Sequence, residues 1–303
     1  MRIAPLIHTA LPLVLAPLLL SVINRTKAIV AGCDGQVLLQ PYYDLAKLLR
    51  KGAVYSRSTT WVFRAGPVVG LAALLVATTL VPFGGSSAPV AFAGDLIFFV
   101  YLLGLLRFVT VIAALDTGSS FEGMGASREV TFSALAEPAL LLALATVARQ
   151  TGSLSLSTMY AGVSLATWAG AVPVLTLLAG ALMVVFLAEN ARIPVDDPTT
   201  HLELTMIHEV MVLDHGGPDL AFILYGSALK LSLLGMLLVG LVVPMRSGNP
   251  WIDGIAAMAG LLGLAILTGL IESSTARWRL LRVPQLLVGA CVLSALALVL
   301  VLR

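Results

Sequence analysis

Charged residues are scarce in this sequence of 303 residues. They make up 11% of it, against about 25% in a typical soluble domain, and the formal net charge is only +2. Hydrophobic residues make up 59%, and the mean hydropathy is +1.00. Such a chain lacks the polar side chains needed to cover its surface in water, which excludes a soluble domain. The small net charge also argues against a nucleic-acid partner.

Cysteine is almost as rare, with only Cys33 and Cys291 present. Iron–sulfur clusters and structural zinc sites typically need four ligands, most of them thiolates. His208 and Glu209 begin like the zinc motif H-E-x-x-H, but Val212 stands where the second histidine is required. We therefore predict that this chain binds no metal or cofactor and has no catalytic centre of its own.

Long apolar runs, by contrast, recur along the whole chain. Each has about 20 residues, enough to cross a hydrocarbon core of about 30 Å. They lie at about 4–23, 62–82, 95–115, 130–149, 168–188, 222–243, 252–272 and 284–302. The pattern predicts an all-α integral membrane protein with about eight transmembrane helices, which form a single multi-spanning domain over residues 1–303. We expect the protein to lie in the cell (inner or plasma) membrane. The segment 151–167 is expected to be a polar connector.

Basic residues are concentrated in every second connector between the predicted spans. Most of them fall in the segments at about 24–61, 116–129, 189–221 and 273–283. Because Lys and Arg are enriched on the cytoplasmic side of a membrane, these segments are predicted to be cytoplasmic, with both termini outside. Within the first segment, Leu45, Leu48 and Leu49 recur at helical spacing. This pattern indicates a short amphipathic helix, either at the membrane interface or packed as a loop helix.

The 189–221 connector is the most charged part of the chain. Asp197 followed by Pro198 is a typical helix start, and we predict a helix over about 198–213. Carboxylates and imidazoles alternate there with apolar residues, which is more typical of a buried, hydrated polar cluster than of a solvated surface. We expect this long acidic connector to take part in whatever chemistry the chain supports.

Ionisable side chains also occur within the predicted spans. Glu137 lies near mid-bilayer, where a charge costs about 2.5–3.5 kcal/mol on insertion scales, so it is expected to be functional or paired. We predict a proton path through acidic, basic and imidazole groups of the spans and connectors. Its members are Glu129, Glu137, Glu189, Asp196, Asp197, Glu203, His208, Glu209, Asp214, Lys230 and Glu272. The alternative is a set of purely structural ion pairs, such as Lys230 with Glu189 or with Glu272.

The connectors resemble those of one protein family. The string ENARIPVDDPTTHLELTMIHE at 189–209 is similar to the corresponding segment in the membrane subunit of formate hydrogenlyase and other group 4 energy-converting nickel–iron hydrogenases. Its Arg-x-Pro-x-Asp-x-Pro core also resembles the long acidic loop of the homologous membrane component of respiratory complex I. LQPYYDLAKL at 39–48 and DTGS at 116–119, with GASRE at 125–129, resemble other family loops. Residues of these motifs are expected to dock subunits or shape the loops. They are Asp44, Lys47, Asp116, Arg128, Arg192 and Pro194.

The resemblance implies a function. A subunit of this family is expected to anchor a soluble redox arm and to couple electron transfer to ion translocation. Implied partners are nickel–iron hydrogenase-type large and small subunits, a ferredoxin-like iron–sulfur subunit and antiporter-like membrane subunits, embedded in lipid. Those partners would carry iron–sulfur clusters, while the presence of a nickel–iron centre in the large subunit stays open, as does the choice between proton and sodium.

One departure bears on the alternatives. Complex I carries several glutamates after the connector proline, where this chain has Thr199, Thr200 and His201. The difference weakens the case for a quinone-site subunit of a complex I-like NADH or ferredoxin:quinone oxidoreductase, without removing it. A passive membrane anchor is a further alternative. An independent secondary transporter is disfavoured, because such proteins commonly show internal repeats and this chain shows none.

Overall fold

The computed structural model describes residues 3–196, 206–244, 246–276, 278 and 280–303, with side chains from residue 10 onward. Within these ranges the chain forms eleven α-helices and two 3₁₀ turns, and no β-strand. The helices are α1 (Ile3–Val30), α2 (Gln40–Leu49), α3 (Trp61–Thr78), α4 (Asp95–Asp116), α5 (Ser120–Thr151), α6 (Leu156–Gly162), α7 (Leu165–Gly170), α8 (Val172–Glu189), α9 (Gly217–Val242), α10 (Pro250–Ser274) and α11 (Val283–Leu302). The 3₁₀ turns are Glu209–Val212 and Leu280–Arg282.

Eight helices in the described part of the chain are long and apolar enough to cross a membrane. They are α1, α3, α4, α5, α8, α9, α10 and α11, the last extended back to Leu280. Their order matches the eight apolar runs of the sequence. The prediction of an all-α, multi-spanning membrane protein is therefore confirmed.

Several helix boundaries differ from the prediction. Helix α5 begins at Ser120, ten residues before the predicted span, so most of the expected 116–129 connector is helical. The expected polar connector 151–167 contains α6, whose first turn is capped by the buried Asp95: its carboxylate accepts from the Leu156 amide at 2.6 Å and the Ser155 hydroxyl at 2.8 Å. Hydropathy marks where lipid begins, whereas a helix continues into the polar region until a residue or a contact ends it.

Helix α9 is the most deeply buried span and packs against α1, α3, α8 and α10, with α2 across its end. Helix α5 packs chiefly on α11, α8 and α4. Small residues permit the closest approach, as is usual between membrane helices. A Cβ atom on Gly66 of α3 would lie 2.9 Å from the Ala113 Cβ of α4, and one on Gly269 of α10 would lie 2.7 Å from the Thr26 Cβ of α1.

The four connectors that were predicted to be cytoplasmic meet on one side of the bundle, which we call the connector face. The Thr60 amide before α3 donates to Asp116 at the end of α4, at 2.6 Å. The Trp278 amide donates to the Pro194 carbonyl at 3.0 Å. Gly217 has φ of +56°, and a Cβ there would lie 2.8 Å from the Gly52 carbonyl oxygen, so a residue with a side chain would separate these two connectors.

The predicted α-helix over 198–213 is wrong in its described part. Residues 206–208 are not helical, and Glu209–Val212 form only a 3₁₀ turn. The amides of Ile207 and His208 donate to the Asp196 carboxylate instead of to carbonyls four residues back. The segment lies against α5 at Gly125, where a Cβ would be 2.3 Å from a Val210 methyl carbon, and this close contact favours a flat segment over a helix.

Helix α2 forms at the position that the leucine spacing predicted. It lies across α9 and α1, and the Tyr42 hydroxyl donates to the Val14 carbonyl of α1. None of its residues is buried, and Tyr43 and Leu49 remain more than half exposed. Its apolar side chains therefore remain available to a membrane interface.

Candidate functional site

Arg107 of α4 stands at the centre of a polar cluster inside the bundle. Its side chain is 10% exposed and contacts three carboxylates. Nε lies 3.3 Å from Glu129 and Nη2 lies 2.6 Å from Glu189, while Nη1 binds Glu137. A guanidinium offers five N–H donors in a planar fork, so one arginine can hold three acidic groups from two other helices, α5 and α8.

Lys230 of α9 extends this cluster. Its ammonium group lies 3.8 Å from Glu189 Oε2, and both side chains are at least nine-tenths buried. Of the two partners considered for Lys230, the structure therefore shows Glu189. We call the set Arg107, Glu129, Glu137, Glu189, Lys230 and His208 the Arg107 cluster.

His208 connects the cluster to the long connector. Its Nδ1 lies 3.1 Å from Glu129 Oε2, and its side chain is 30% exposed. The His208 amide donates to Asp196, which is itself buried, and the guanidinium of Arg128 donates to the Met206 carbonyl at 2.9 Å. The connector is thereby attached to α5 at the position where an imidazole faces the buried carboxylate.

Charges in the cluster do not balance. Three carboxylates face two cations, Arg107 and Lys230, so with a neutral His208 the cluster has one excess negative charge. An uncompensated charge is costly in a buried site, and a single added proton removes it. Protonation of His208 next to Glu129, or of one carboxylate, restores neutrality.

Glu137 differs from the other two carboxylates in its exposure. Its side chain is 41% exposed, although it lies within a membrane span and binds Arg107. Gly104 of α4 leaves room beside it, since a Cβ there would lie 3.7 Å from Glu137 Oε1. The carboxylate thus joins the buried cluster to a side of the bundle that this chain leaves open.

A second cluster surrounds Glu272 at the end of α10, and we call it the Glu272 cluster. Glu272 is fully buried and lies 2.9 Å from the Lys27 ammonium of α1 and 3.4 Å from Arg192 Nη1. Burial lowers the pKa of Arg192, and Glu272 opposes that change. One carboxylate here faces two cations, so this cluster has no excess negative charge. Arg192, expected to shape the loop or dock subunits, is buried in this cluster.

A cavity of about 420 Å³ lies beside the Arg107 cluster. Its lining includes the charged groups Arg107, Glu129, Glu189 and Lys230, together with apolar residues of α1, α2 and α9 such as Leu20, Leu45 and Leu231. The volume falls within the range of ligand pockets, about 300–1,000 Å³, and the lining combines an apolar wall with convergent polar groups. Such a cavity can hold water or an amphipathic molecule.

The other predicted residues are scattered over the connector face. Asp116 holds the start of α3, through the Thr60 amide and hydroxyl and the Phe63 amide. Asp44 and Lys47 are exposed on α2, and Asp44 accepts from Gln40 at 2.9 Å. Pro194 follows a cis peptide bond. Glu209 is half-buried along the cavity, and Asp214 is exposed. Asp197 and Glu203 lie outside the described residues.

Arg107, the central residue, was missing from the predicted path, although a signal for it existed. Apart from Asp95 at its first position, it is the one charged residue of the predicted span 95–115, where an arginine is costly and usually paired. Lys27, which lies in the predicted 24–61 connector, was not singled out either, and the structure places it in the last turn of α1. Among the described residues, no group of three or more potential metal ligands is assembled.

Comparison with known proteins places the chain in a family. The model of the NADH dehydrogenase family matches residues 19–303. The chain is 30% identical to formate hydrogenlyase subunit 4 of Escherichia coli over 288 residues, covering 93% of this chain and 92% of that protein. It is also 30% identical to hydrogenase-4 component C of the same organism over 291 residues, covering 94% and 91%.

The fold is also known from a solved structure. The archaeal membrane-bound sulfane sulfur reductase, a respiratory membrane complex, contains a chain that matches 98% of this one with a TM-score of 0.80 and 17% identity. The resemblance to the membrane subunit of group 4 hydrogenases is confirmed, and the chain is a complex I-related membrane subunit that works within a larger complex. By its extent of match, this chain belongs to the NADH dehydrogenase family.

Proposed function

We propose that this chain is the membrane-anchoring, proton-path subunit of a formate hydrogenlyase- or hydrogenase-type complex in the inner or plasma membrane. In this proposal it docks a soluble arm on the connector face and couples electron transfer in that arm to ion translocation. The observation that carries the proposal is the Arg107 cluster, which joins α4, α5, α8 and α9 to the long connector through charged contacts.

The path begins at the connector. His208 is partly exposed and contacts Glu129, so it can accept a proton from the connector face and pass it to that carboxylate. Protonation of Glu129 weakens its hold on Arg107, which then binds Glu137 and Glu189 more tightly. Because one guanidinium serves three acids, a proton on any of them changes the charge balance of the other two.

The path continues at Glu137. A carboxylate facing lipid would cost about 2.5–3.5 kcal/mol, so its open side supports a contact with a neighbouring membrane subunit. The antiporter-like subunits expected from the sequence resemblance would accept the proton there. The soluble partners, with their iron–sulfur clusters and any nickel–iron centre, would bind on the connector face, where movement of the 206–216 segment would change the contact between His208 and Glu129.

Glu137→Gln tests the proposal. The amide keeps the shape of the side chain and can still accept from Arg107, but it cannot carry a proton. In sealed vesicles holding the intact complex, the ratio of translocated ions to transferred electrons should fall to near zero while the complex remains assembled. Asp34→Asn, at an exposed carboxylate of the first connector, is the control and should keep the ratio. Full translocation in Glu137→Gln would refute the proposed path.

The cavity favours a second candidate, a quinone-site subunit. Its apolar lining and its charged groups would suit a ring with carbonyl acceptors and an apolar tail. Measuring electron transfer with added quinone, against hydrogen evolution by the same purified complex, separates the two candidates. Activity that depends on quinone would favour this second function.

A further inference from the structure

A second group of ionisable residues lies where the connector enters α9, and the proposed path does not use it. His215 is 6% exposed and stacks on Phe63 of α3, with ring centroids 3.9 Å apart and an interplanar angle of 6°. Its Nδ1 is shielded from solvent and has no hydrogen-bond partner among the described residues. The side chain lines the same cavity as Arg107 and Lys230.

Acidic groups dominate the surroundings of His215. Asp214 precedes it in the chain, and Asp219 follows in the first turn of α9, where its carboxylate lies near the Tyr55 hydroxyl and adds to the effect of burial in raising the pKa of that group. The Asp214 amide donates to Glu122 of α5 at 3.3 Å, and Glu122 is buried. The nearby cation, Arg64 of α3, lies 4.2 Å from the centre of the Tyr55 ring.

We propose that His215 is a second proton-accepting group of this subunit, through which protons from the connector face enter the cavity beside the Arg107 cluster. This inference rests on the proposed function, because His215 would supply protons to the same Arg107 cluster by a second entry point. Asp214 is exposed and can collect protons at the surface, whereas His215 is a buried ring that lines the cavity and carries an unpartnered nitrogen.

The chemistry of the ring suits this role. A neutral imidazole has one donor and one acceptor nitrogen, so an unpartnered nitrogen can take a proton from water. A cavity of about 420 Å³ has room for on the order of ten waters, at roughly 30 Å³ each. Protons could then pass from His215 to the carboxylates that line the same cavity.

Opposing effects keep the ring neutral at rest. Burial lowers the pKa of His215, whereas Asp219 and Asp214 raise it, and the net pKa lies below the usual value of 6.5. His215 therefore loses a bound proton readily at neutral pH, as a relay requires, and the two carboxylates stabilise the imidazolium while it exists. Stacking on Phe63 fixes the ring in place.

The test measures initial rates of proton translocation in vesicles that contain the intact complex, over a range of pH on the connector side. His215→Gln keeps hydrogen-bonding capacity and lacks a titrating group, so its rate should fall several-fold and its pH dependence should change shape. Asp34→Asn, at an exposed carboxylate of the first connector, is the control and should retain the full rate and the same pH dependence. Glu129→Gln is measured alongside, because it removes a titrating carboxylate from the path of the proposed function.

The outcomes separate the two proposals. If Glu129→Gln lowers translocation and His215→Gln leaves both rate and pH profile unchanged, His215 has only a packing role and the inference fails alone. If neither variant alters translocation, the proposed function fails as well. A low rate in His215→Gln with an unchanged pH profile would also overturn the inference, since a structural defect slows transport equally at every pH.

A second measurement does not depend on the stability of that variant. The chain has four histidines, so nitrogen NMR of the intact complex with only this subunit labelled can follow each ring, with assignment from single variants. The His215 ring should titrate below pH 6.5, and Asp219→Asn should move its midpoint further down. A ring that stays in one protonation state from pH 5 to pH 8 would contradict the inference.

Discussion

The Arg107 cluster and the Glu272 cluster are built from the same residue types and differ in charge balance. The first places three carboxylates against two cations, and the second places one carboxylate against two cations. Adding a proton relieves excess negative charge in the first and would add to the positive charge of the second. We infer that the Arg107 cluster carries protons, whereas the Glu272 cluster ties α1, α10 and the connector together.

Removing Arg107 should have the largest effect. Arg107→Leu leaves three carboxylates buried without their shared cation, and breaking a buried pair of this kind costs about 3–5 kcal/mol. We expect the subunit to be absent from the purified complex, as measured by quantitative mass spectrometry. Arg107→Lys keeps the charge but not the planar fork, so it should assemble and translocate slowly. Normal assembly of Arg107→Leu would mean that the cluster is not stabilised as described.

Glutamine substitutions in the two clusters should separate stability from transport. Glu272→Gln leaves Lys27 and Arg192 without a counter-charge, so unfolding of the complex should occur at lower temperature, with a cost of about 3 kcal/mol. The complex that does assemble should keep its ratio of ions to electrons. Glu189→Gln should show the reverse pattern, with a smaller loss of stability and a strongly reduced ratio. Equal effects of the two variants on the ratio would remove the distinction between the clusters.

The contact between the connector and α5 can be tested at Gly125. Gly125→Val would place side-chain atoms where Val210 and the Ile207 carbonyl now lie, and overpacking typically costs about 1–3 kcal/mol. We expect the 206–216 segment to move away from α5, separating His208 from Glu129. Protease digestion of the connector should become faster, and translocation should fall. Gly123→Val, at a site with open space around the Cβ, is the matched control.

The smallest effect concerns pH. Because the pKa of His215 is lowered in the folded chain, the unfolded chain binds the proton more tightly, and stability that is present above pH 6.5 is lost as the pH falls below it. Each unit of pKa shift corresponds to about 1.4 kcal/mol at the most acidic pH. Thermal unfolding of the purified complex should therefore occur at lower temperature below pH 6.5, and this change should be smaller in His215→Gln. An identical pH dependence in both would contradict this assignment.

Hydropathy was sufficient to predict the eight spans, because the length of an apolar run is a local property of the sequence. The start of α5 was missed because hydropathy detects only apolar runs, whereas Ser120–Glu129 is polar and still helical. Contacts between helices were not predictable from one sequence. Glu129, Glu137 and Glu189 were all predicted members of the proton path, but the arginine that holds all three lies on α4, 22 residues before the first of them.

The long connector shows a different limit. Its charged residues predicted a polar cluster. A helix was also predicted there, but the amides of Ile207 and His208 donate to the Asp196 carboxylate. His215 was not among the predicted path residues, and nothing in its sequence neighbourhood indicated Phe63 as a stacking partner. Contacts between side chains that are far apart in the sequence can be identified only when the fold is known.

Infrared difference spectroscopy of the intact complex tests the central claim most directly. Reduction of the soluble arm should produce a change in the carboxylic acid carbonyl region, as one acid of the Arg107 cluster gains or loses its proton. That signal should be absent from the variant that removes this acid, which is Glu137→Gln, Glu129→Gln or Glu189→Gln. It should be retained in Glu272→Gln. A complex that shows no carboxylic acid change on reduction, or the same change in all four variants, would contradict the account.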